Sequence, residues 1–323
     1  MNNSKILITG GAGFLGSHLA ERLLEKFNNI EIVILDDLSL GAEKNLENIK
    51  NEKIQLIKGD IRDKEQVKKS VEGVDYIFHL AAMPFIPDCF SEPEIFITTN
   101  VNGTYNLIEA ILKKKIKKFV LISTSEVYGS AEYIPMDEAH PLKPRSTYAA
   151  SKLASENIAF TLHKEHNFPL SIIRSFNFYG PRDSHPRIIP EIISQFSKSN
   201  TLNLGNINAT RDFVYVKDVA DGLILAAQSE NSTGKTLTLS TGEETPIKTL
   251  IDSIAHIMNI KDYKINVKEE RLRPFDVDRL CGSNKEAKKI LNWEPRVELK
   301  KGLKETVEWY LSKKCWPFEE RLK

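Results

Sequence analysis

The chain has 323 residues, enough for about two domains at roughly 150 residues each. Its 41% hydrophobic and 28% charged residues exclude a disordered chain, and its net charge of +1 gives no bulk attraction to nucleic acid or an anionic membrane. Three cysteines, far apart and odd in number, exclude a disulfide framework and a CxxC metal site, so no metal is expected.

The first half of the sequence alternates short apolar runs with amphipathic stretches. The polar residues 1–5 lead directly into the first run, and no run approaches the ~18 apolar residues of a membrane span. We therefore expect a cytoplasmic protein with no secretory signal. Amphipathic or polar helices are predicted over 14–27, 64–71, 101–115 and 151–160. Strands are predicted over 6–8, 32–35, 54–57, 74–80, 119–122 and 170–173.

This βαβα order predicts an α/β protein with a doubly wound, Rossmann-type parallel sheet, because parallel neighbours need crossover connections. After Gly180 the pattern changes: prolines interrupt the chain, and the predicted elements become shorter, ending in a helix over 305–311. We predict a dinucleotide-binding domain over 1–180 and a smaller mixed C-terminal substrate lobe over 181–323. Some later segments are expected to return to the first domain.

A glycine-rich turn, residues 9–16 (TGGAGFLG), joins the first strand to the first helix. Gly10 permits the tight turn, Gly13 lets the backbone approach a pyrophosphate, and Gly16 lets helix and strand pack closely. A phosphate would then lie on the free N–H groups at the start of the helix, next to Phe14 and Leu15. The turn therefore predicts a dinucleotide site.

Other strand ends fit the same site. Asp36 ends the second strand some twenty residues later, where a carboxylate accepts hydrogen bonds from the adenosine ribose. No arginine follows for a 2′-phosphate, so NAD is favoured over NADP. The third strand is followed by Asp60 and Ile61, whose carboxylate could hold the adenine amino group. The fourth ends in Leu80, Ala81 and Ala82, small enough for a cofactor to lie against the sheet edge.

Tyr148 and Lys152 are spaced i and i+4, which places a phenol and an ammonium on one face of a helix. A nearby cation lowers the pKa of a phenol, and an oxidised nicotinamide would add a second positive charge. Tyr148 would need a pKa ~3 units below its ordinary value, or roughly 4 kcal/mol, to act as a base near neutrality. The same spacing recurs at Tyr310 and Lys314, where we expect an ordinary surface helix end.

Residues 123–129 (STSEVYG) follow the fifth strand, at the sheet edge where ligands bind in this fold. Thr124 can hydrogen-bond a reacting hydroxyl, and Glu126 places a carboxylate next to it. Hydroxyl residues such as Ser125 are also common in plain turns. The adjoining acid favours a catalytic role for the segment.

Together these motifs resemble the extended short-chain dehydrogenase/reductases of the NAD-dependent epimerase/dehydratase family, the nucleotide-sugar branch. The resemblance covers essentially the whole chain and includes segments 100–104 (NVNGT), 176–181 (FNFYGP), 210–213 (TRDF) and 271–274 (RLRP). It implies that Asn100 contacts NAD and that the diphosphate of a nucleotide sugar is held by Asn177, Arg211 and Arg273. Guanidinium groups suit phosphate geometry.

The resemblance also implies the first step: Tyr148 takes the proton of a sugar 4-hydroxyl while hydride moves to NAD. A 4-epimerase needs no further acid or base, whereas a 4,6-dehydratase must also remove the C5 proton and expel water from C6. Glu126 therefore favours the dehydratase. Many dehydratases carry aspartate where this chain has Ser125, which leaves the acid that expels water undefined.

Residues 271–278 (RLRPFDVD) and 292–295 (NWEP) look like the mannose-type dehydratases and their N-acetylhexosamine-acting relatives. We therefore predict a 4,6-dehydratase of a UDP- or GDP-hexose, with N-acetylglucosamine as one candidate sugar. The alternatives are a UDP-hexose 4-epimerase, a UDP-glucuronate decarboxylase and an NAD-binding regulatory protein without catalysis. Helices 101–112 and 151–160 pair across a two-fold axis in this family, which implies a homodimer.

Overall fold

The computed structural model describes residues 1–49, 53–272 and 275–312. Strands are formed by β1 (Lys5–Thr9), β2 (Glu31–Asp36), β3 (Ile54–Lys58), β4 (Tyr76–His79), β5 (Lys118–Thr124), β6 (Leu170–Ser175), β7 (Asn177–Tyr179), β8 (Thr201–Leu204), β9 (Thr210–Arg211), β10 (Phe213–Tyr215), β11 (Lys235–Leu239), β12 (Thr245–Pro246) and β13 (Lys264–Val267).

Helices alternate with the strands through most of this length. The α-helices are α1 (Phe14–Lys26), α2 (Lys64–Ser70), α3 (Asp88–Ser91), α4 (Pro93–Phe96), α5 (Thr104–Ile111), α6 (Thr147–His166), α7 (Ile188–Phe196), α8 (Val216–Gln228), α9 (Ile247–Ile257), α10 (Lys285–Leu291) and α11 (Leu299–Leu311).

Seven parallel strands form the main sheet in the order β3-β2-β1-β4-β5-β6-β11. The first six positions have the order of a doubly wound dinucleotide-binding sheet. The predicted fold class is therefore confirmed. The strand β11 was not predicted from the sequence, because its alternating Thr and Leu side chains differ from the continuous apolar runs of the inner strands.

Side chains of successive strand residues point to opposite faces, and both faces of the sheet are covered. In β1, Ile6 and Ile8 join the apolar cluster under α1 and α8, whereas Leu7 joins the cluster under α2, α5 and α6. The segments beyond residue 180 build a third cluster from α7, α9 and α11. We retain the proposed division near residue 180, with β11 and α8 returning to the first domain.

The helix predicted over 101–115 begins earlier and ends earlier. It runs from Pro93 to Ile111 through α4, a π-helical segment (Ile97–Gly103) and α5. Proline at the first helical position is compatible with this start, since its missing N–H has no partner there. In the described part of the chain, no helix combines the length and apolar composition needed to cross a bilayer.

Candidate active site

A cleft lies at the carboxyl ends of the sheet strands. Of the residues predicted to bind the cofactor, all except Asn100 line the cleft. They are Gly10, Gly13, Phe14, Leu15, Gly16, Asp36, Asp60, Ile61, Leu80, Ala81, Ala82, Tyr148 and Lys152.

The glycine-rich turn has the packing that a dinucleotide site requires. Gly10 has φ +71°, and a Cβ there would lie 2.8 Å from the backbone nitrogen of Ala81. A Cβ on Gly16 would lie 2.2 Å from the Gly10 carbonyl oxygen. Gly13 is the N-cap of α1, and as a glycine it makes no side-chain hydrogen bond to the N–H groups of the first turn. These features fit a pyrophosphate on the first turn of α1.

Two of the predicted carboxylates occupy different environments. Asp36 accepts hydrogen bonds from the Ala12 and Leu38 N–H groups, both at 2.9 Å. Burial raises the pKa of Asp36, although these hydrogen bonds oppose the rise. Each carboxylate oxygen retains acceptor capacity for a ribose hydroxyl. At Asp60, burial is outweighed by the hydrogen bonds from Arg62, which lower the pKa of the carboxyl.

Asn100 is buried and holds the loop that follows β4. Its Oδ1 accepts from the Met83 N–H at 2.8 Å, and its Nδ2 donates to the Ser151 hydroxyl on α6 at 2.9 Å. Met83 lines the cleft. The Asn100 amide therefore positions the cleft wall. The resemblance had implied that Asn100 contacts NAD, but the side chain does not line the cleft.

Tyr148 is placed by the first turn of α6, whose N-cap is Ser146. The Ser146 hydroxyl accepts from the Ala149 N–H at 3.1 Å. Thr124 is the last residue of β5, and its hydroxyl accepts from the Glu126 N–H at 3.2 Å. This leaves its own proton for the Tyr148 oxygen, with which it forms a hydrogen bond. The structure thus brings Thr124 and Tyr148 together, and their catalytic roles stay predictions.

The electrostatics of Tyr148 differ from the prediction. Burial raises the pKa of Tyr148, and the Glu126 charge adds to the rise, while the Thr124 hydrogen bond and the Arg187 charge oppose it. Lys152 is itself 4% exposed, and burial lowers its pKa to about 8, against the opposing charge of Glu156. Desolvation thus exceeds the cationic effect that the i, i+4 spacing had suggested.

The segment after β5 separates its two candidate catalytic groups. Ser125 is 2% exposed within a 3-10 turn (Ser125–Tyr128). Glu126 is half-buried, and its charge reaches the Tyr148 phenol. Glu126 therefore stands next to the reacting tyrosine, whereas Ser125 is directed into the protein.

A buried ion pair lies behind Lys152. Glu156 follows one turn later on α6 and accepts from Arg174 of β6, with Nη2 to Oε2 at 2.7 Å and Nε to Oε1 at 3.1 Å. Both side chains are almost fully buried. The Arg174 guanidinium also lies 4.9 Å from the centre of the Tyr128 ring. This pair fastens α6 to the sheet beneath the catalytic face.

The cleft wall also contains residues that were not among the predicted site residues, and Phe178, His185 and Arg187 are those contributed by the chain beyond β6. Arg187 lies over the Phe178 ring at 5.4 Å, and its charge reaches Tyr148. The available signal was their position in β7 and in the loop after it, at the ligand edge of the fold. The segment was not recognised as part of the site because its prolines interrupt the regular pattern of strands and helices.

The predicted diphosphate residues lie beyond the cleft lining just described. Asn177 in β7 pairs with Phe213 of β10, which brings it alongside the Arg211 segment. The buried Asn177 Oδ1 has no hydrogen-bond partner among the described residues. Arg211 donates to the Thr210 carbonyl at 2.9 Å and lies 3.6 Å from the Asp276 carboxylate. Arg273 lies outside the described residues.

The second tyrosine and lysine pair differs from the expected surface helix end. Tyr310 is fully buried, and its hydroxyl donates to the Asp183 carbonyl. Lys314 lies outside the described residues. In the described part of the chain, no cluster of three or more histidine, cysteine, aspartate or glutamate side chains could hold a metal.

The sheet order, the glycine turn and the tyrosine at the cleft define a Rossmann-type dinucleotide-binding enzyme fold. The family model described as GDP-mannose 4,6 dehydratase matches residues 7–306. The chain therefore belongs to this family, within the NAD-dependent nucleotide-sugar epimerases and dehydratases of the extended short-chain dehydrogenase/reductases. The predicted family is confirmed.

Individual relatives carry different activities. The chain is 35% identical to a putative UDP-glucose 4-epimerase of Methanocaldococcus jannaschii, covering 94% of this chain and 97% of the relative. It is 33% identical to human dTDP-D-glucose 4,6-dehydratase, covering 95% and 89%. The structure of DesIV, a dTDP-glucose 4,6-dehydratase from Streptomyces venezuelae solved with NAD bound, matches with a TM-score of 0.88 at 28% identity, covering 98% and 99%. These comparisons support NAD as the cofactor, as predicted.

Proposed function

We propose that this chain is an NAD-dependent 4,6-dehydratase of a UDP- or GDP-hexose, with N-acetylglucosamine among the candidate sugars. The observation that carries the proposal is the position of the Glu126 carboxylate. This carboxylate is half-buried and close enough to Tyr148 for its negative charge to raise the pKa of the phenol. Dehydration needs a second base near the oxidised carbon, whereas epimerisation needs none. Relatives with both activities match the chain at similar identity, so the argument depends on Glu126.

In the proposed mechanism, the glycine turn and the strand ends would hold NAD along the cleft. Bound there, NAD would accept the hydride from the sugar, and its reduced form would give the hydride back. Tyr148 takes the proton of the sugar 4-hydroxyl, with Thr124 next to the Tyr148 oxygen and Lys152 as the nearby cation. Glu126 then removes the C5 proton, which is acidic next to a C4 ketone, and later returns a proton to C5. Asn177, Arg211 and Arg273 would hold the diphosphate.

Mass spectrometry of products separates the candidate reactions. Purified enzyme with NAD is incubated with UDP- and GDP-linked glucose, N-acetylglucosamine and glucuronate. Loss of one water from a hexose supports the dehydratase. An isomer of unchanged mass would identify the 4-epimerase, and loss of carbon dioxide from glucuronate would identify the decarboxylase.

Replacing Glu126 with glutamine is expected to slow water loss by about 10²–10⁴-fold, because the amide cannot take the C5 proton. Oxidation at C4 should continue, so reduced nicotinamide should accumulate after substrate is added. Stopped-flow absorbance and product mass measure the two steps. Glu132→Gln, an exposed change six residues later, serves as the matched control. Unchanged dehydration by Glu126→Gln would contradict the assigned base.

We also propose a homodimer formed by the helices around α5 and α6. Three large apolar side chains on these helices are exposed: Ile97 (48%), Tyr105 (40%) and Phe160 (40%). Sedimentation should give twice the 36.7 kDa chain mass, and Phe160→Glu should shift the mass toward one chain. Leu311→Glu, at a 53% exposed apolar position on α11, should not. A single-chain mass for the unaltered protein would exclude the dimer.

A further inference from the structure

The loop between β7 and α7 carries a histidine supported by a carboxylate. His185 is 4% exposed and lines the cleft. Its Nδ1 lies 3.6 Å from the Asp183 Oδ1, and its backbone N–H donates to the same oxygen at 3.2 Å. A carboxylate next to one ring nitrogen orients an imidazole and stabilises its protonated form.

Contacts on several sides hold this pair in place. The Tyr310 hydroxyl donates to the Asp183 carbonyl from α11. The Phe85 ring, from the loop after β4, packs 5.7 Å from the imidazole. Arg187 lies 3.4 Å from the second Asp183 oxygen. These contacts fix the imidazole against the cleft wall.

The same loop reaches the reacting end of the cleft. Arg187 is two residues from His185, and its charge acts on the Tyr148 phenol. Tyr148, Lys152, His185 and Arg187 all line the one cleft. A sugar with its 4-hydroxyl at Tyr148 would therefore have its neighbouring carbons near this loop.

The proposed dehydration needs an acid to protonate the departing hydroxyl, and Ser125 occupies the position where many dehydratases carry an aspartate. Ser125 is buried, and an alkyl hydroxyl cannot protonate a leaving group near neutral pH. Histidine can do so, because its ordinary pKa is near 6.5. We propose that His185, positioned by Asp183, is the acid that protonates the departing C6 hydroxyl; this inference rests on the proposed dehydratase function.

The proton and electron balance of the step is complete. Glu126 removes the C5 proton, the C5–H electrons form the C5–C6 double bond, and the C6–O bond breaks. His185 gives its proton to the departing oxygen, so water leaves and the imidazole becomes neutral. The proton that Tyr148 took from the 4-hydroxyl returns through solvent to restore the imidazolium.

The charged and titratable groups around His185 come from three elements. Asp183 and Arg187 flank it on the loop, with one negative and one positive charge. Tyr310 faces Asp183 from α11, and Tyr148 and Lys152 face the same cleft from α6. The Asp183 carboxylate lies 3.6 Å from the imidazole Nδ1 and 3.4 Å from Arg187, so it stands between the two side chains.

The test compares His185→Gln with the unaltered holoenzyme on two substrates. On the nucleotide hexose that the unaltered enzyme dehydrates, the variant should be slower by about 10²-fold or more. On the 6-deoxy-6-fluoro analogue it should be close to the unaltered enzyme, because fluoride leaves without a full proton. His166→Gln, an exposed histidine on α6, is the matched control. His185→Asn provides a second, smaller replacement if the glutamine variant does not fold.

Each outcome decides the assignment. Dehydration of the natural substrate at the unaltered rate would overturn it. An equal loss on both substrates would also overturn it, because the histidine would then serve only binding or folding. If the unaltered enzyme releases no water from any nucleotide hexose, the proposed function fails together with this inference. That failure appears in the unaltered enzyme and is thus distinguishable.

Discussion

Replacing Tyr148 with phenylalanine is expected to lower turnover by about 10³-fold, because the ring remains but the proton acceptor is lost. The measured rates are sugar oxidation and product formation with saturating NAD. Affinity for NAD should persist, since the glycine turn and the strand ends that line the cleft are unchanged. Calorimetric titration of NAD then separates loss of chemistry from loss of cofactor binding.

A control and an opposite outcome accompany this experiment. Tyr133→Phe removes a hydroxyl that contacts Asp137 on an exposed part of the chain, and it should leave turnover unchanged. If Tyr148→Phe retains activity, another group removes the 4-hydroxyl proton and the assigned base is wrong. If NAD affinity falls with activity, Tyr148 contributes mainly to cofactor binding.

Because its pKa is raised, Tyr148 must be stabilised in its ionised form before it can act as a base. Burial opposes ionisation, and Glu126 adds a negative charge. Lys152 has a pKa of about 8, so it is mostly charged near neutral pH. The positive charge of oxidised nicotinamide would supply further stabilisation of the phenolate. We therefore expect Tyr148 to ionise with cofactor and substrate in place.

Replacing Glu156 with alanine is expected to reduce the free energy of unfolding by about 3–5 kcal/mol, because the Arg174 charge would be left buried without its partner. The pair is almost fully buried, and it joins α6 to β6. Chemical denaturation followed by circular dichroism measures the loss. The same change should lower the pKa of Lys152 further, since the Glu156 charge opposes the effect of burial.

A second glutamate on the same helix provides the comparison. Glu165 is exposed and lies 3.9 Å from His166, so Glu165→Ala should cost at most about 1 kcal/mol. A double change, Glu156→Met with Arg174→Met, should recover much of the lost stability, because no buried charge remains. Similar losses for Glu156→Ala and Glu165→Ala would show that the buried pair has little effect.

Much of the cofactor side could be predicted from local sequence. The turn at Gly10 and Gly16 imposes packing that a side chain would prevent, and this requirement is visible in residue spacing alone. Buried parallel strands are continuous apolar runs, so β1, β2 and β5 were evident. The strand ends then followed, because parallel strands align their carboxyl ends at one edge.

Other features depend on partners far apart in the sequence. Asn100 forms hydrogen bonds with Met83 and Ser151, and the sequence around Asn100 does not predict these partners. The β11 strand resembles a half-exposed strand in isolation, although it completes the main sheet next to β6.

The amino-acid order by itself determined six strands of the nucleotide-binding sheet, the glycine turn and the family, since each depends on neighbours within one strand, turn or helix. Tertiary structure decided the sign of the Tyr148 pKa shift and the burial of Ser125, because desolvation depends on the whole surrounding packing. It also brought His185 from the loop after β7 to the cleft that holds Tyr148. These features depend on distances between segments that are far apart in the sequence, and the spacing of residues along the chain does not give those distances.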